Sequence, residues 1–353
     1  MDTSPPRQTP RGYDVAAMRR LLAGGIEPTL AQAGWDLINH ASEIVILAHE
    51  NPDPDALGSA LGFARALISM GKRATVACAD PVPESFTFLA DAGQVVTSLA
   101  GMPFDLVIAL DAGELSRYGR IYDENRIWLD QAIVLNIDHH ISTRGCGKVN
   151  IVDPIAAATA ELLTCFLLAR EIEPDATAAQ ALLSGIITDT RSFEFDATTE
   201  RTLAAGSYLV SRGGVPETII KPMYRLKPLA KARLWGLVLT TLASGAGGKL
   251  VWATLLREHL AEAGATSDMD DGLPSYLMDI EGVAISVIFR ERDGATTRVS
   301  VRAAAPYDAA AICGHFGGGG HLRAAGFTIS EPVAAAREQV VAYIEALLTT
   351  PPA

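Results

Sequence analysis

Cysteine is scarce in this chain. There are four in 353 residues, Cys78, Cys146, Cys165 and Cys313, and no two form a Cys-x-x-Cys pair. A chain this long buries enough core to do without disulfide staples, so the four read as reduced thiols. No companion motif surrounds any of them, which argues against a structural zinc site and a cysteine nucleophile. Long apolar runs are also missing. None has the length to span a bilayer, and the Pro-, Thr- and Arg-rich start lacks the apolar stretch of a signal peptide. The expected location is the cytoplasm, with no membrane partner. Basic clusters are absent too, and the formal net charge is −12. Proteins that grip long nucleic acid by its backbone carry a broad basic surface. This chain is expected to hold a short oligonucleotide at most, through a few phosphate contacts.

About half of the residues are apolar (49%) and a fifth charged (20%), the balance of a folded globular protein. The length points to two domains. Short apolar runs rich in β-branched residues recur at Ile44–Ala48, Ala74–Ala79, Leu106–Leu110 and Ile133–Ile137, and read as buried strands. Helical patterns lie between and after them, at Ala56–Met70, Ala158–Arg170 and Ala178–Thr188. Alternation of this kind predicts an α/β fold with a mostly parallel, Rossmann-like sheet, whose ligands bind outside the carboxyl ends of the strands. The expected division is a disordered leader over 1–30, a first α/β domain over 31–197, a helical connector over 198–243 broken by Pro216, Pro222 and Pro228, and a smaller α/β domain over 244–353. In the last, Lys249–Leu255, Val283–Phe289 and Thr297–Arg302 read as strands, and Asp308–Phe316 and Val333–Leu348 as helices, with the run Gly317 to Gly320 between.

Three strand candidates end in residues that bind metals. His49-Glu50-Asn51-Pro52-Asp53-Pro54-Asp55 follows the first, Asp111 the third, and Asp138-His139-His140 the fourth. Another acid, Asp189, follows the apolar segment Ala181–Ile187. Taken singly, each has an ordinary explanation: Asp53 caps the helix that starts at Ala56, and Asp138 closes a turn. In a parallel sheet, however, the strand ends converge on one edge. Asp53, Asp55, Asp111 and Asp189 then bring about four negative charges together, and carboxylates so close cannot all stay ionised without compensation. Two divalent cations would supply it. Asp53 and Asp55 can point to different ions, and Asp111, alone at a central strand end, is placed to bridge them. Mixed imidazole and carboxylate ligands suit Mn, Fe, Co or Zn better than Ca.

With these motifs the sequence resembles the DHH phosphoesterase family, named for the triplet seen here as Asp138-His139-His140. The resemblance extends to His49-x-x-x-Asp53-x-Asp55, Asp111 and Asp189, and to Gly317-Gly318-Gly319-Gly320-His321-Leu322-Arg323-Ala324-Ala325-Gly326 of the family's associated C-terminal domain. Within the family it is most similar to the bifunctional oligoribonucleases and phosphoadenosine-phosphate phosphatases, the nanoRNases. The resemblance implies two metal ions, manganese being the expected species. His49, Asp53 and Asp111 would hold one; Asp55, Asp111, His139 and Asp189 would hold the other. Asp138 would orient a histidine, and His140 would face the substrate phosphate. Arg302, Gly318, Gly319, Gly320 and His321 would bind the nucleotide. Ser59, in the first turn of a helix, is a further candidate for anion contact. Family likeness also implies a homodimer. Two departures bear on the substrate: Arg191 stands where many nanoRNases have glycine, and Ala303 where a serine often follows the arginine.

The implied reaction is hydrolysis of short oligoribonucleotides, of 3'-phosphoadenosine 5'-phosphate, or of both, by a hydroxide generated between two metals. A related hydrolase acting on linear or cyclic dinucleotides, polyphosphate or single-stranded DNA stays open, and so does a silent nucleotide-binding protein.

Overall fold

The apolar runs of the first half are strands, and all of them run in one direction. β1 (Glu43–Ala48), β2 (Arg73–Cys78), β3 (Leu106–Leu110), β4 (Val134–Asp138) and β5 (Val149–Val152) form a parallel sheet in the order β2-β1-β3-β4-β5. β3 and β4 are buried end to end, as central strands covered on both faces must be. The order reverses between β1 and β3, and that switch point is where a doubly wound sheet opens a crevice at its carboxyl edge. The register brings the motif residues out level. Leu47 pairs with Ala109, and Leu110 with Ile137, so His49, Asp111 and Asp138 leave the sheet side by side.

The computed structural model of the chain describes residues 14–86 and 88–349. They fall into two units that divide between Leu226 and Lys227. In the first, α1 (Val15–Ala23), α2 (Pro28–His40), α3 (Pro54–Ser69), α5 (Thr159–Leu168), α6 (Ala176–Asp189), α7 (Glu200–Ser211) and α8 (Pro216–Ile220) contribute to one apolar core with the sheet. α4 (Arg120–Leu129) closes the other face over Val45, Leu47, Val107 and Ala109. α3 and α6 run antiparallel in close contact because small residues line the crossing. A Cβ on Gly58 would run into the Ala181 carbonyl and the Ser184 hydroxyl, and one on Gly62 would lie 2.8 Å from Leu182 Cγ. This approach sets Asp55, at the start of α3, against the end of α6 where Asp189 sits.

The second unit holds a mixed six-stranded sheet in the order β10-β11-β9-β8-β7-β6. Its strands are β6 (Ala243–Gly245), β7 (Leu250–Leu255), β8 (Ile285–Glu291), β9 (Thr297–Ala303), β10 (Gly319–His321) and β11 (Ala324–Ile329). α12 (Ala309–His315) and α13 (Val333–Thr349) share one core with the sheet. α9 (Leu229–Leu239), α10 (Arg257–Ala263) and α11 (Leu273–Met278) share another.

The leader expected over 1–30 extends too far. Residues 1–13 lie outside the described set, but Asp14 caps α1, and Leu22, Ile26 and Trp35 are buried in the first core. The segment expected as a connector over 198–243 is divided between the units. α7 buries Ala205, Tyr208 and Leu209 in the first core, while α9 buries Leu234 and Val238 in the second. Each helix carries its own apolar stripe, and each stripe finds a core within its own unit. The strands β5, β6, β10 and β11 were not foreseen. Among the described residues no helix is long and apolar enough to cross a membrane.

Gly58→Ala is expected to destabilise the protein by about 1–3 kcal/mol, the range for forcing atoms into a filled core. Urea unfolding followed by circular dichroism measures it, and a wild-type midpoint would show that α3 and α6 tolerate separation.

Candidate metal centre

Asp111 leaves β3 with φ +58°, a left-handed conformation that costs a non-glycine residue about 1–2 kcal/mol. The cost is met locally. Its N–H donates to the Ile137 carbonyl (3.1 Å), and the buried Asn136 amide on β4 donates to the carbonyls of Ala109 (3.0 Å) and Ala112 (2.9 Å) on either side. The side chain is thereby held at the middle of the crevice. Its two oxygens face opposite ways: Oδ2 lies 3.5 Å from His49 Nε2, and Oδ1 lies 3.5 Å from His139 Nε2.

Two ligand sets share this carboxylate's surroundings. His49, Asp53 and Asp111 place ligand atoms within 4.8 Å of one another, and so do Asp55, His139 and Asp189. His49 Nε2 is 3.7 Å from Asp53 Oδ2, and His139 Nε2 is 3.4 Å from Asp189 Oδ2. Asp53 also caps α3 by accepting from the Ala56 N–H through Oδ1 (2.9 Å), so its ordinary and its metal-binding explanations hold together on different oxygens. His49 Nδ1 meets the Glu50 carbonyl (2.8 Å) and His139 Nδ1 meets the Ala156 carbonyl (3.2 Å). A carbonyl only accepts, so each Nδ1 must carry a proton, and Nε2 is the ring atom aimed into the crevice and available to a metal. Donor type, tautomer and spacing all fit a pair of divalent ions.

Electrostatics point the same way. Asp55 is fully buried at the start of α5, where it accepts from the N–H groups of Thr159 (2.7 Å) and Ala160 (3.0 Å) and from Ser59 Oγ (3.2 Å). Burial and the charges of Asp111, Asp189 and Asp53 still push its pKa well up. Asp189 ends α6, where the helix dipole disfavours an anion. Burial and the neighbouring Asp111 and Asp53 raise it to about 8. Burial alone would lower His49, but hydrogen bonds to Asp111 and Asp53 outweigh it and raise the imidazole to about 10. The cluster without metal therefore keeps protons where cations belong.

Asp138 is wholly buried and binds no candidate ligand oxygen. Its Oδ1 accepts from the N–H of His139 (2.7 Å) and from Nδ1 of His140 (2.7 Å), and its Oδ2 accepts from the Thr143 hydroxyl. Burial opposes ionisation of Asp138, and the His140 and Thr143 hydrogen bonds overcome it, leaving the pKa lowered. The bond from Asp138 in turn raises His140. Asp111, His139 and His140 also lie within ligand distance, but His140 Nδ1 is already engaged by Asp138. The imidazole of His140, half exposed, lines a cavity of about 350 Å³ with His49, Asp53, Asp111, Arg117, Ser142 and Thr143.

Ser59 is fully buried and donates to Asp55, four residues earlier on α3 (3.2 Å), so its hydroxyl holds a carboxylate and does not meet a substrate anion. Arg302, Gly318, Gly319, Gly320 and His321 lie in the second unit. Ala324 pairs with both His321 and Arg302, so these two side chains leave one face of that sheet. Gly318 and Gly320 have a packing reason as well. A Cβ on Gly318 would collide with Phe327 and one on Gly320 with Ala325, whereas Gly319 faces open space. Arg191 has φ +48°, and Ser192 and Phe193 follow at +65° and +70°, a left-handed turn directly after Asp189 and Thr190. Missed by sequence reasoning were Thr159, whose hydroxyl donates to Asp111 Oδ1 (2.8 Å), Asn136 and Thr143. Thr159 and Asn136 act on partners tens of residues away, while Thr143 donates to Asp138 within the same loop, and nothing in its local sequence marks it.

In chelator, thermal stability should fall as pH rises from 5 to 9. Asp189 is raised when folded, so its contribution is present below the ordinary carboxylate range and is lost as pH rises through about 8; that of His49 is present below about 6.5 and lost as pH rises through about 10. Added Mn²⁺ should stabilise more at pH 8 than at pH 5.5, because ion and proton compete for the same atoms. A shift of equal size at both pH values would contradict this ligand assignment.

Comparison with known proteins agrees with the geometry. The DHH family N-terminal domain matches residues 43–186, and the DHHA1 domain matches residues 247–350. The chain is 37% identical to the bifunctional oligoribonuclease and PAP phosphatase NrnA of Thermus thermophilus, over 81% of this chain and 84% of that protein. It is 25% identical to the cyclic-di-AMP phosphodiesterase PdeA of Listeria monocytogenes, over 90% of this chain but 49% of that protein. In fold it is similar to an exopolyphosphatase-related protein from Bacteroides fragilis, at TM-score 0.77 and 22% identity, covering 92% of this chain and 99% of the other. The chain belongs to the DHH family of phosphoesterases, with a DHH domain followed by a DHHA1 domain.

Proposed function

We propose that the protein hydrolyses short oligoribonucleotides, 3'-phosphoadenosine 5'-phosphate, or both, using two manganese ions in the cytoplasm. The observation that carries the chemistry is Asp111, whose two carboxylate oxygens face two different imidazoles at the centre of the crevice. The substrate reading rests on the likeness to the Thermus protein, which extends over most of both chains.

His49, Asp53 and Asp111 would hold one ion, and Asp55, Asp111, His139 and Asp189 the other. Two divalent ions held there would supply an activated water at neutral pH and would neutralise charge on the phosphoryl oxygens. The chain's own groups do the rest. Asp138 fixes the ring of His140 through Nδ1, leaving Nε2 to donate to a phosphate oxygen. The hydrogen bond to Asp138 raises the His140 pKa, which favours the protonated ring beside a group that gains negative charge as it reacts. In the second unit, Arg302 and His321 on one sheet face, beside the open backbone of Gly319, offer charge-assisted hydrogen bonds to the nucleotide. A second reading, cleavage of linear or cyclic dinucleotides, is favoured by the likeness to the Listeria phosphodiesterase over 90% of this chain.

A panel in Mn²⁺ buffer separates them: a diribonucleotide, a five-residue RNA, a long RNA, phosphoadenosine phosphate, a linear dinucleotide with a terminal phosphate, and a cyclic dinucleotide. Turnover of the shortest RNAs or of phosphoadenosine phosphate is expected, and its absence in His139→Ala. Turnover of cyclic dinucleotides or long RNA alone would overturn the substrate assignment. Asp138→Asn should lower turnover by about 10–100-fold, the usual cost of releasing a group that orients a site histidine. An unchanged rate would mean that His140 does not act through Asp138.

A further inference from the structure

Glu161 is a fully buried carboxylate that the reaction does not use. It sits in the first turn of α5. Its Oε1 accepts from Arg201 Nε (2.5 Å), and its Oε2 accepts from the Thr202 hydroxyl (2.7 Å) and the Ala157 N–H (3.2 Å). Arg201, on α7, also places Nη2 2.7 Å from Asp153 Oδ2, as an ion-pair contact, and donates from Nη1 to the Gly25 carbonyl (3.2 Å). One guanidinium thus holds Asp153 and Glu161, the two ends of a single segment.

That segment, 153–161, touches three of the six candidate ligands. The Ala156 carbonyl receives the Nδ1 proton of His139, the Thr159 hydroxyl donates to Asp111, and the N–H groups of Thr159 and Ala160 donate to Asp55. All these contacts come from backbone or from a short side chain, so they are only as well placed as the segment itself. Its first part, between Asp153 and Thr159, is neither helix nor strand.

Resting on the two-metal reading, we propose that Asp153, Glu161 and Arg201 are positioning residues that set the geometry of Asp55, Asp111 and His139 and so the affinity of the metal pair. A buried ion pair is a weak source of stability compared with apolar packing of the same volume, but it fixes one arrangement of the elements it joins. Here the elements are the turn after α1 at Gly25, α5, α7 and the segment that supports the ligands.

The test measures Mn²⁺ affinity directly, from the electron paramagnetic resonance signal of free Mn²⁺, beside steady-state kinetics on a diribonucleotide. The variants are Glu161→Gln and Arg201→Lys. Arg212→Ala, which removes an ion pair to Glu173 elsewhere in the same unit, serves as a control for general loosening. Thr159→Val tests the same contact chain should either clamp variant fail to fold. The proposal predicts Mn²⁺ binding about 10–100-fold weaker in Glu161→Gln, Arg201→Lys and Thr159→Val, with kcat recovering as Mn²⁺ is raised and KM little changed, and wild-type affinity in Arg212→Ala. Wild-type Mn²⁺ affinity in the clamp variants, with only the melting temperature lowered, would overturn it and leave the clamp as a support of the fold. If the wild type binds Mn²⁺ but cleaves none of the nucleotides, the substrate reading fails, and the affinity comparison still decides the clamp.

Discussion

Mutual repulsion among carboxylates is the constraint around which the first unit is arranged. Asp53, Asp55, Asp111 and Asp189 meet in a crevice where Asp55 and Asp111 are buried. Such a group is unfavourable unless each acid is fixed by donors and the whole is offset by cations. The structure supplies donors to three of the four. Asp55 is held by the amino end of α5 and by Ser59, Asp111 by Thr159, and Asp53 by the first turn of its own helix. The cations are left for metal ions to provide, and the protons retained by Asp189 and His49 mark where they go.

The fold can be understood as the means of bringing these acids together. A parallel sheet with its order reversing between β1 and β3 delivers His49, Asp111 and the Asp138-His139-His140 triplet to one edge. Asp53 comes as the cap of α3, and helices must deliver the last two acids. Asp55 arrives at the head of α3 and Asp189 at the foot of α6, and the glycine-lined crossing of those helices sets the two within reach of one ion. Core packing and catalytic geometry are therefore coupled at Gly58 and Gly62, far in sequence from the family triplet.

How much of this was legible in the sequence follows from which interactions are local. The strands β1, β3 and β4 were, because a strand buried on both faces is a continuous apolar run, and the ligands follow such runs directly. Asp111 stood out by its isolation at a central strand end, and the structure sets it between His49 and His139. Thr159, Asn136 and the Glu161–Arg201 pair were not, because their partners lie tens of residues away and hydroxyl, amide and carboxylate groups have many ordinary uses. Ser59 misled for a related reason. A polar residue near a helix start reads as an anion contact, whereas the neighbouring helix decides which side of α3 is covered. The glycine run was read for its openness to phosphate, but two of its members are required by the close approach of β11. Arg191 stands at φ +48°, in a left-handed turn that runs to Phe193, a conformation that glycine adopts more readily. Nothing in the structure explains why arginine stands there.

The central claim is that Asp111 joins two metal sites into one centre. The most direct measurement is a Mn²⁺ titration of metal-free protein followed by electron paramagnetic resonance, on the wild type and on Asp111→Asn. Two bound ions with a spin-coupled signal in the wild type, and loss of the coupling in the variant, are the predicted result. A single ion, or two uncoupled ions unaffected by Asp111→Asn, would contradict it.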